Sequence, residues 1–184
     1  AKFVLSTIDQ CHEKGIQGIC IITAGFKETG AAGAELEKEL VEKIHSYGMR
    51  CVGPNCLGVV NTHPDVRMDG CFAESLPERG NIGFVSQSGA LGGGILNILK
   101  DLNLGFAQFI SIGNQADVNA ETALEYWEND EDVEQILLYM ESIQNPANFR
   151  KLATRISRKK PVLALKAGRS AAGASAASSH TGSL

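Results

Sequence analysis

Histidine is the side chain best suited to accept a phosphoryl group or a proton near neutral pH. One stands in Ser178-Ser179-His180-Thr181-Gly182-Ser183, where almost no bulky residue accompanies it. With so little to pack against, His180 is placed for chemistry rather than for a core. The tract before it, residues 168–179, consists of Gly, Ala and Ser with a single Arg, and it follows the apolar run Pro161-Val162-Leu163-Ala164-Leu165-Lys166. The imidazole is therefore carried on a small-residue loop beyond the carboxyl end of an expected strand, the end at which parallel α/β sheets carry their sites. On composition alone the same tract also reads as a flexible linker holding an incidental histidine.

A second candidate is Phe84-Val85-Ser86-Gln87-Ser88-Gly89-Ala90-Leu91-Gly92-Gly93-Gly94, a strand running directly into a glycine-rich helix start. The first N–H groups of a helix have no partner inside it and lie at the positive end of its dipole, so Ser88, Gly89 and Ala90 form a seat for phosphate or carboxylate. The plainer reading is that Ser88 caps the helix and the glycines let it pack closely on the sheet. A third candidate is Glu141 in Tyr139-Met140-Glu141-Ser142, a carboxylate at the end of the strand expected over 134–140. Ser111-Ile112-Gly113-Asn114-Gln115-Ala116-Asp117 follows another strand at the same edge. An imidazole oriented by a carboxylate and facing a helix-bound phosphate is the arrangement a transient phosphohistidine requires. The neutral nitrogen attacks phosphorus, the carboxylate fixes the tautomer, and the helix N–H groups spread the charge.

These residues need a scaffold, and the hydrophobic pattern supplies one. Phe3, Val4, Ile8 and Cys11 mark one helical face, residues 16–23 read as a buried strand, residues 30–47 as a helix with Leu36, Leu40, Val41 and Ile44 inward, and 49–52 as a short strand. Residues 61–79 lose periodicity and gather Pro64, Pro77 and charges, which marks a crossover between domains. Alternation then resumes with strands at 81–86, 106–112, 134–140 and 161–166 and helices near 89–102, 119–129 and 146–158. Four strands joined by three helices require a right-handed, parallel, flavodoxin-like sheet. The expected fold class is α/β. Without an initiating Met, an opening strand with a glycine fingerprint or a closing helix, the sequence is expected to be a fragment.

Composition narrows the function. The chain has 184 residues, a formal charge of −4 and a pI near 5.6, so it has no electrostatic footprint for nucleic acid or for an anionic membrane. Its one dense basic run, residues 155–160, ends a helix, where positive charge suits the dipole. No apolar stretch has the length of a membrane span and no signal peptide opens the chain, so a cytoplasmic protein is expected. Five cysteines at positions 11, 20, 51, 56 and 71 do not form a disulfide framework. Cys51 and Cys56 have no partner pair for zinc, so no metal site is expected, and Cys20 reads as a small core residue.

Ile22-Thr23-Ala24-Gly25-Phe26, Gly53-Pro54-Asn55-Cys56-Leu57-Gly58, Ser86-Gln87-Ser88-Gly89-Ala90-Leu91, Gly113-Asn114-Gln115-Ala116-Asp117 and Ser179-His180-Thr181-Gly182-Ser183 occur in the order found in NDP-forming acyl-CoA synthetases. The sequence resembles that family, which includes ADP-forming acetyl-CoA synthetases and succinyl-CoA synthetase, over its whole length. The resemblance implies that residues 1–75 are the later part of a Rossmann-like CoA-binding domain and 76–184 most of a flavodoxin-like domain. It implies a reversible reaction through acyl phosphate and phosphohistidine, with His180 phosphorylated and Glu141 steadying it. Ser88, Gly89 and Ala90 would bind phosphate, Ile22, Thr23, Ala24, Asn55 and Cys56 would face CoA, and Asn114 and Asp117 would shape an acyl pocket. CoA, phosphate and ADP or ATP are the implied small molecules, the nucleotide and its Mg²⁺ being held by an ATP-grasp domain or subunit outside the sequence, in an oligomer. Gly92-Gly93-Gly94 stands where succinate-using relatives carry larger polar residues, which favours a different or smaller acid.

Two other functions fit parts of the pattern. Ser88, Asp117 or Glu141, and His180 follow the order of a serine hydrolase triad, but Ser86 stands where the nucleophile elbow needs glycine. A CoA-sensing region of a protein lysine acyltransferase would share the scaffold but has no use for His180.

Overall fold

The computed structural model of the chain describes residues 1–73 and 78–168, so His180 and the tract from Arg169 onward lie outside the described residues. The first unit carries helices α1 (Val4–Glu13) and α2 (Ala31–Ser46) on a two-stranded parallel sheet of β1 (Gly18–Cys20) and β2 (Arg50–Val52). Ile8, Phe26, Leu40, Ile44, Met49 and Cys51 bury against one another beneath it. β1 is shorter than the run 16–23 suggests. Ile21 N–H still donates to Val52 O at 2.9 Å, but at Thr23 the carbonyl turns to accept from Asn55 N–H and the chain leaves the ladder.

The second sheet has six strands in the order β4-β3-β6-β5-β7-β8. β5 (Arg79–Ser86), β6 (Phe106–Ser111), β7 (Gln135–Met140) and β8 (Val162–Lys166) are parallel, and α3 (Gly89–Asp101), α4 (Ala120–Trp127) and α5 (Pro146–Ile156) connect them. The expected parallel α/β core is present, with each element close to its expected bounds. Its sequence signal was strong because parallel strands buried on both faces read as continuous apolar runs. Residues 61–79, in contrast, are not the featureless crossover their composition suggests. β3 (Gly58–Asn61) and β4 (Met68–Cys71) form an antiparallel hairpin whose first strand pairs antiparallel with β6. Four-residue strands are too short to show a period, which is why the pattern missed them. The hairpin thus lies in the second sheet, although residues 58–71 fall within the expected first unit.

The helices divide between the two faces. α4 and α5 bury Leu124, Trp127, Leu152 and Ile156 against Val85, Ile136 and Leu138, while α3 packs Leu96 against Phe84, Phe106 and Phe109 on the other face. Two glycines allow these close approaches. A Cβ at Gly83 would lie 2.9 Å from the Trp127 ring, and one at Gly92 would lie 2.9 Å from Phe109 and 3.2 Å from Ser86 Cβ. The connection after β5 leads outward over one face to β6, and that after β6 returns over the other face to β7. The crevice between the carboxyl ends of β5 and β7 is therefore the topological switch point, where open α/β sheets bind ligands. Among the described residues no helix is long and apolar enough to cross a membrane.

Candidate functional site

Two of the sequence-derived candidates flank that crevice. Ser88 is the N-cap of α3 with extended backbone, and its hydroxyl accepts from Leu91 N–H at 3.4 Å, while Gly92 N–H donates to Ser88 O at 3.0 Å. Among the described residues no protein group accepts from Gly89 or Ala90 N–H. The two readings of this helix start are thus compatible: one N–H is served by the Ser88 cap, and two are left without a protein acceptor, as an anion seat requires. Ser88 is 8% exposed, and its hydroxyl is turned to the helix as a cap, not outward as a nucleophile elbow would hold it.

Glu141 follows β7 directly and is fixed through its main chain. Its N–H donates to Gln87 Oε1 at 2.8 Å, and its carbonyl accepts from Lys166 Nζ at 2.7 Å. Gln87 is 5% exposed and binds the Glu141 turn at three points, since its Oε1 also accepts from Ser142 N–H and its Nε2 donates to Ser142 Oγ. Gln115 Nε2 reaches the same hydroxyl at 2.8 Å, and Gln144 Nε2 donates to Gln115 O. Sequence reasoning did not single out these amides. Their signal was a polar residue between two buried serines at a strand end, Ser86-Gln87-Ser88, where an apolar run would otherwise continue. A buried amide needs partners for both its oxygen and its nitrogen, and here it finds them on the neighbouring loop. Ala167 N–H donates to Met140 O at 2.8 Å, so the chain leaves β8 for the His180 tract beside Glu141.

The CoA-side candidates meet at the carboxyl ends of β1 and β2. Asn55 N–H donates to Thr23 O at 3.1 Å, and Cys56 Sγ lies 3.4 Å from Ile21 O. Ile22 is exposed beside them. Asn55 Nδ2 donates to Asn114 Oδ1 at 3.2 Å, and a Cβ at Gly89 would lie 3.4 Å from Leu57 Cβ, so the loop 53–57 abuts both Asn114 and the start of α3. A run of backbone bonds, from Asn114, Ala116 and Val118 N–H to Pro54, Gly53 and Cys51 O, joins the units there. Gly113 makes that approach possible: its φ is +50° and a Cβ on it would lie 2.3 Å from the carbonyl oxygens of Pro54 and Asn55.

Asn114 and Asp117 are not equivalent. Asn114 is 2% exposed; its Nδ2 donates to Glu28 Oε2 at 2.6 Å and Glu37 Oε2 at 2.7 Å, and Lys27 Nζ donates to its carbonyl. Burial would raise the Glu28 carboxyl, but hydrogen bonds from Asn114 and the Gly25 and Phe26 N–H groups outweigh it and hold the carboxyl below its ordinary value. Asp117 faces the joint instead of the crevice. Its oxygens accept from Arg50 Nε at 2.9 Å and Cys51 N–H at 2.8 Å, and His45 Nε2 stands 3.2 Å away. Grouping Asp117 with Asn114 in an acyl pocket is therefore not the arrangement seen; charge pairing with Arg50 has drawn this carboxylate to the beginning of β2. Likewise Gly92 is accounted for by Phe109 and Ser86, a Cβ at Gly93 would touch Leu57 Cδ2 at 3.5 Å, and of the three only Gly94 leaves space open.

Burial would raise the Asp117 carboxyl too, yet Arg50, the Cys51 N–H and His45 together hold it below the ordinary carboxylate value. A group depressed in this way stabilises the folded state above its unfolded pKa of about 3.9 and loses that contribution as pH falls through the lower folded value. Asp117→Asn is expected to reduce the thermal midpoint at pH 6–8 and to flatten its fall below about pH 4. Parallel melting curves for both proteins between pH 7 and 2 that keep a constant separation would show that the carboxylate charge plays no part.

Among the described residues no group of three His, Cys, Asp or Glu side chains is placed to hold a metal ion. Residues 79–184 match the family described as succinyl-CoA ligase like flavodoxin domain. The chain is 48% identical over 183 residues to the acetate–CoA ligase (ADP-forming) II subunit alpha of Pyrococcus furiosus, covering all of this chain and 39% of that protein. It is 39% identical to the 4-hydroxybutyrate–CoA ligase (ADP-forming) of Nitrosopumilus maritimus, covering 98% of this chain and 26% of that one. Among solved structures, the dinucleotide-forming acetyl-coenzyme A synthetase 1 of Ca. Korarchaeum cryptofilum, in complex with phosphate and ADP, superposes with a TM-score of 0.90 at 40% identity, covering all of this chain and 39% of that one. The chain thus spans about two fifths or less of the length of these relatives.

Proposed function

The chain belongs to the NDP-forming acyl-CoA synthetase family, and from that premise we propose that it forms part of an acid–thiol ligase interconverting acyl-CoA, phosphate and NDP with acid, CoA and NTP. The observation that carries this reading is the crevice between β5 and β7. At its β5 end a helix starts with two N–H groups that have no protein acceptor among the described residues, and at its β7 end Gln87 pins the turn that carries Glu141, beside the point where the chain departs for the His180 tract.

In the proposed sequence a phosphate oxygen attacks the thioester carbonyl, and the C–S bond breaks to give acyl phosphate and CoA. Ile22, Thr23, Ala24, Asn55 and Cys56 hold the CoA side, and Asn114, locked by Glu28 and Glu37, borders the acyl group. Gly89 and Ala90 N–H groups hold the phosphoryl oxygens with Ser88 fixing the helix start. His180 attacks phosphorus, releasing the acid, and later passes the phosphoryl group to a nucleoside diphosphate. Glu141 accepts the second imidazole N–H and so holds the reactive tautomer. Mg²⁺ would supply charge neutralisation on the nucleotide, and we assign both to an ATP-grasp domain or subunit of an oligomeric, cytoplasmic enzyme. The ligase names of the relatives disfavour a lysine acyltransferase.

The test is the complete protein incubated with a panel of short-chain acyl-CoA thioesters, labelled phosphate, Mg²⁺ and ADP. Label should enter ATP in step with CoA release. Thioester hydrolysis without ATP formation would overturn the reading. Within this reaction Gly89→Pro removes one phosphate donor yet suits the first helical position, where proline's fixed φ is already correct. A hydrogen bond to a charged group is worth about 1.5–3 kcal/mol, so the KM for phosphate should rise roughly 10- to 100-fold with the melting point little changed. An unchanged KM would place the anion elsewhere.

A further inference from the structure

Cys20 ends β1, Cys56 lies in the loop after β2, and their Sγ atoms are 3.7 Å apart. The proposed transfer through acyl phosphate and phosphohistidine uses neither thiol as a nucleophile. The two differ in access. Cys56 is 8% exposed, whereas Cys20 is partly exposed and lines two cavities, one of about 370 Å³ and one of about 250 Å³, each large enough to admit a small molecule. Cys51, the nearest cysteine in sequence, is 1% exposed.

We propose that Cys20 and Cys56 are a thiol–disulfide pair, oxidised reversibly by a low-molecular-weight disulfide that reaches Cys20, and that the resulting bond ties the loop 53–57 to the end of β1. The Cys20 thiolate attacks one sulfur of the small disulfide, whose other half leaves as a thiolate. Cys56 then gives its proton to solvent and attacks Cys20 Sγ, displacing the second small thiolate. Two protein thiols are oxidised and one small disulfide is reduced to two thiols. A disulfide bond is about 2.0 Å long, so the sulfurs must close by about 1.7 Å from their present separation. The order of attack follows from the contact between them: hydrogen bonding from Cys56 lowers the Cys20 thiol below its ordinary value against the effect of burial, and that same contact and burial raise Cys56. The thiolate therefore forms on the sulfur that a small disulfide can reach.

The effect on turnover rests on the proposed CoA role of this loop, but the bond itself does not. The complete protein is incubated with glutathione disulfide, its remaining thiols are trapped with N-ethylmaleimide, and its peptides are mapped. Expected are a linked pair of peptides holding Cys20 and Cys56, lighter by two hydrogens than the reduced pair, and recovery of both thiols with dithiothreitol. Cys56→Ser should accumulate a glutathione adduct on Cys20, and Cys20→Ser should leave Cys56 unmodified in the folded state. A lasting adduct on wild-type Cys20, a Cys11–Cys20 link, or untouched thiols would overturn the proposal. Should either variant fail to fold, the wild-type peptide map decides alone. If the mapped disulfide forms while the KM for CoA stays unchanged, the pair stands and the CoA role of the loop falls.

Discussion

His180→Ala is expected to abolish phosphoenzyme formation. The complete protein, given Mg²⁺ and labelled ATP, should become labelled at a single site that is labile to acid and stable to base, as a phosphoramidate is, and the alanine variant should carry no label. Removing a covalent nucleophile costs about 10⁴-fold or more in turnover, so ATP formation from acyl-CoA, phosphate and ADP should fall to background. Folding should be unaffected, because the small-residue tract around His180 offers no bulky side chain for a core to lose. The chemistry requires this residue type. Imidazole is nucleophilic and uncharged near neutral pH, and the phosphoramidate it forms transfers its phosphoryl group readily to a nucleotide. Mass spectrometry that finds the phosphate on a serine of the same tract, or an unchanged yield in the alanine variant, would remove the central step.

Glu141→Gln is expected to slow phosphohistidine formation by roughly 10²-fold or more, the scale of loss when an orienting carboxylate is neutralised. A 10²-fold loss is about 2.7 kcal/mol of barrier. The amide retains the size of the side chain and leaves the bonds of the Glu141 main chain to Gln87 and Lys166 intact, so the melting point should hardly change. Binding of phosphate and CoA should also persist, which confines the loss to the chemical step. Equal single-turnover phosphorylation rates in both proteins would reduce Glu141 to a structural role. A large loss of stability instead would show that the carboxylate holds the loop itself.

The position of Glu141 after β7 and the Ser88–Ala90 helix start were legible because each depends on local features: a polar residue at the end of an apolar run and a glycine-rich turn after a strand. The parallel core was legible for a related reason. Strands such as β5 and β7 are buried on both faces and join helices with inward faces at 3.6-residue spacing, so both periods are written into the chain. The β3–β4 hairpin was not, because its strands are too short for a period and their pairing with β6 is a long-range choice.

Contacts between distant segments had no signature in the sequence. The closeness of Cys20 to Cys56, the clamp of Gln87 on the Glu141 turn and the separate duties of Asn114 and Asp117 arise only when side chains far apart in sequence meet, the last of them across the joint between the two sheets. Asp117 shows the principle most directly. Only two positions along one loop separate it from Gln115, yet they reach different partners: Gln115 turns to Ser142 in the crevice, while Asp117 is taken by Arg50 and the Cys51 N–H across the joint. The chain by itself determined the helices and the parallel strands and which groups lie at their carboxyl ends, because their apolar periodicity is written locally, whereas the β3–β4 hairpin depends on pairing with β6. Tertiary structure alone decided which of those groups face the crevice and which are spent holding it together, since a buried polar side chain takes its direction from the partner that satisfies it.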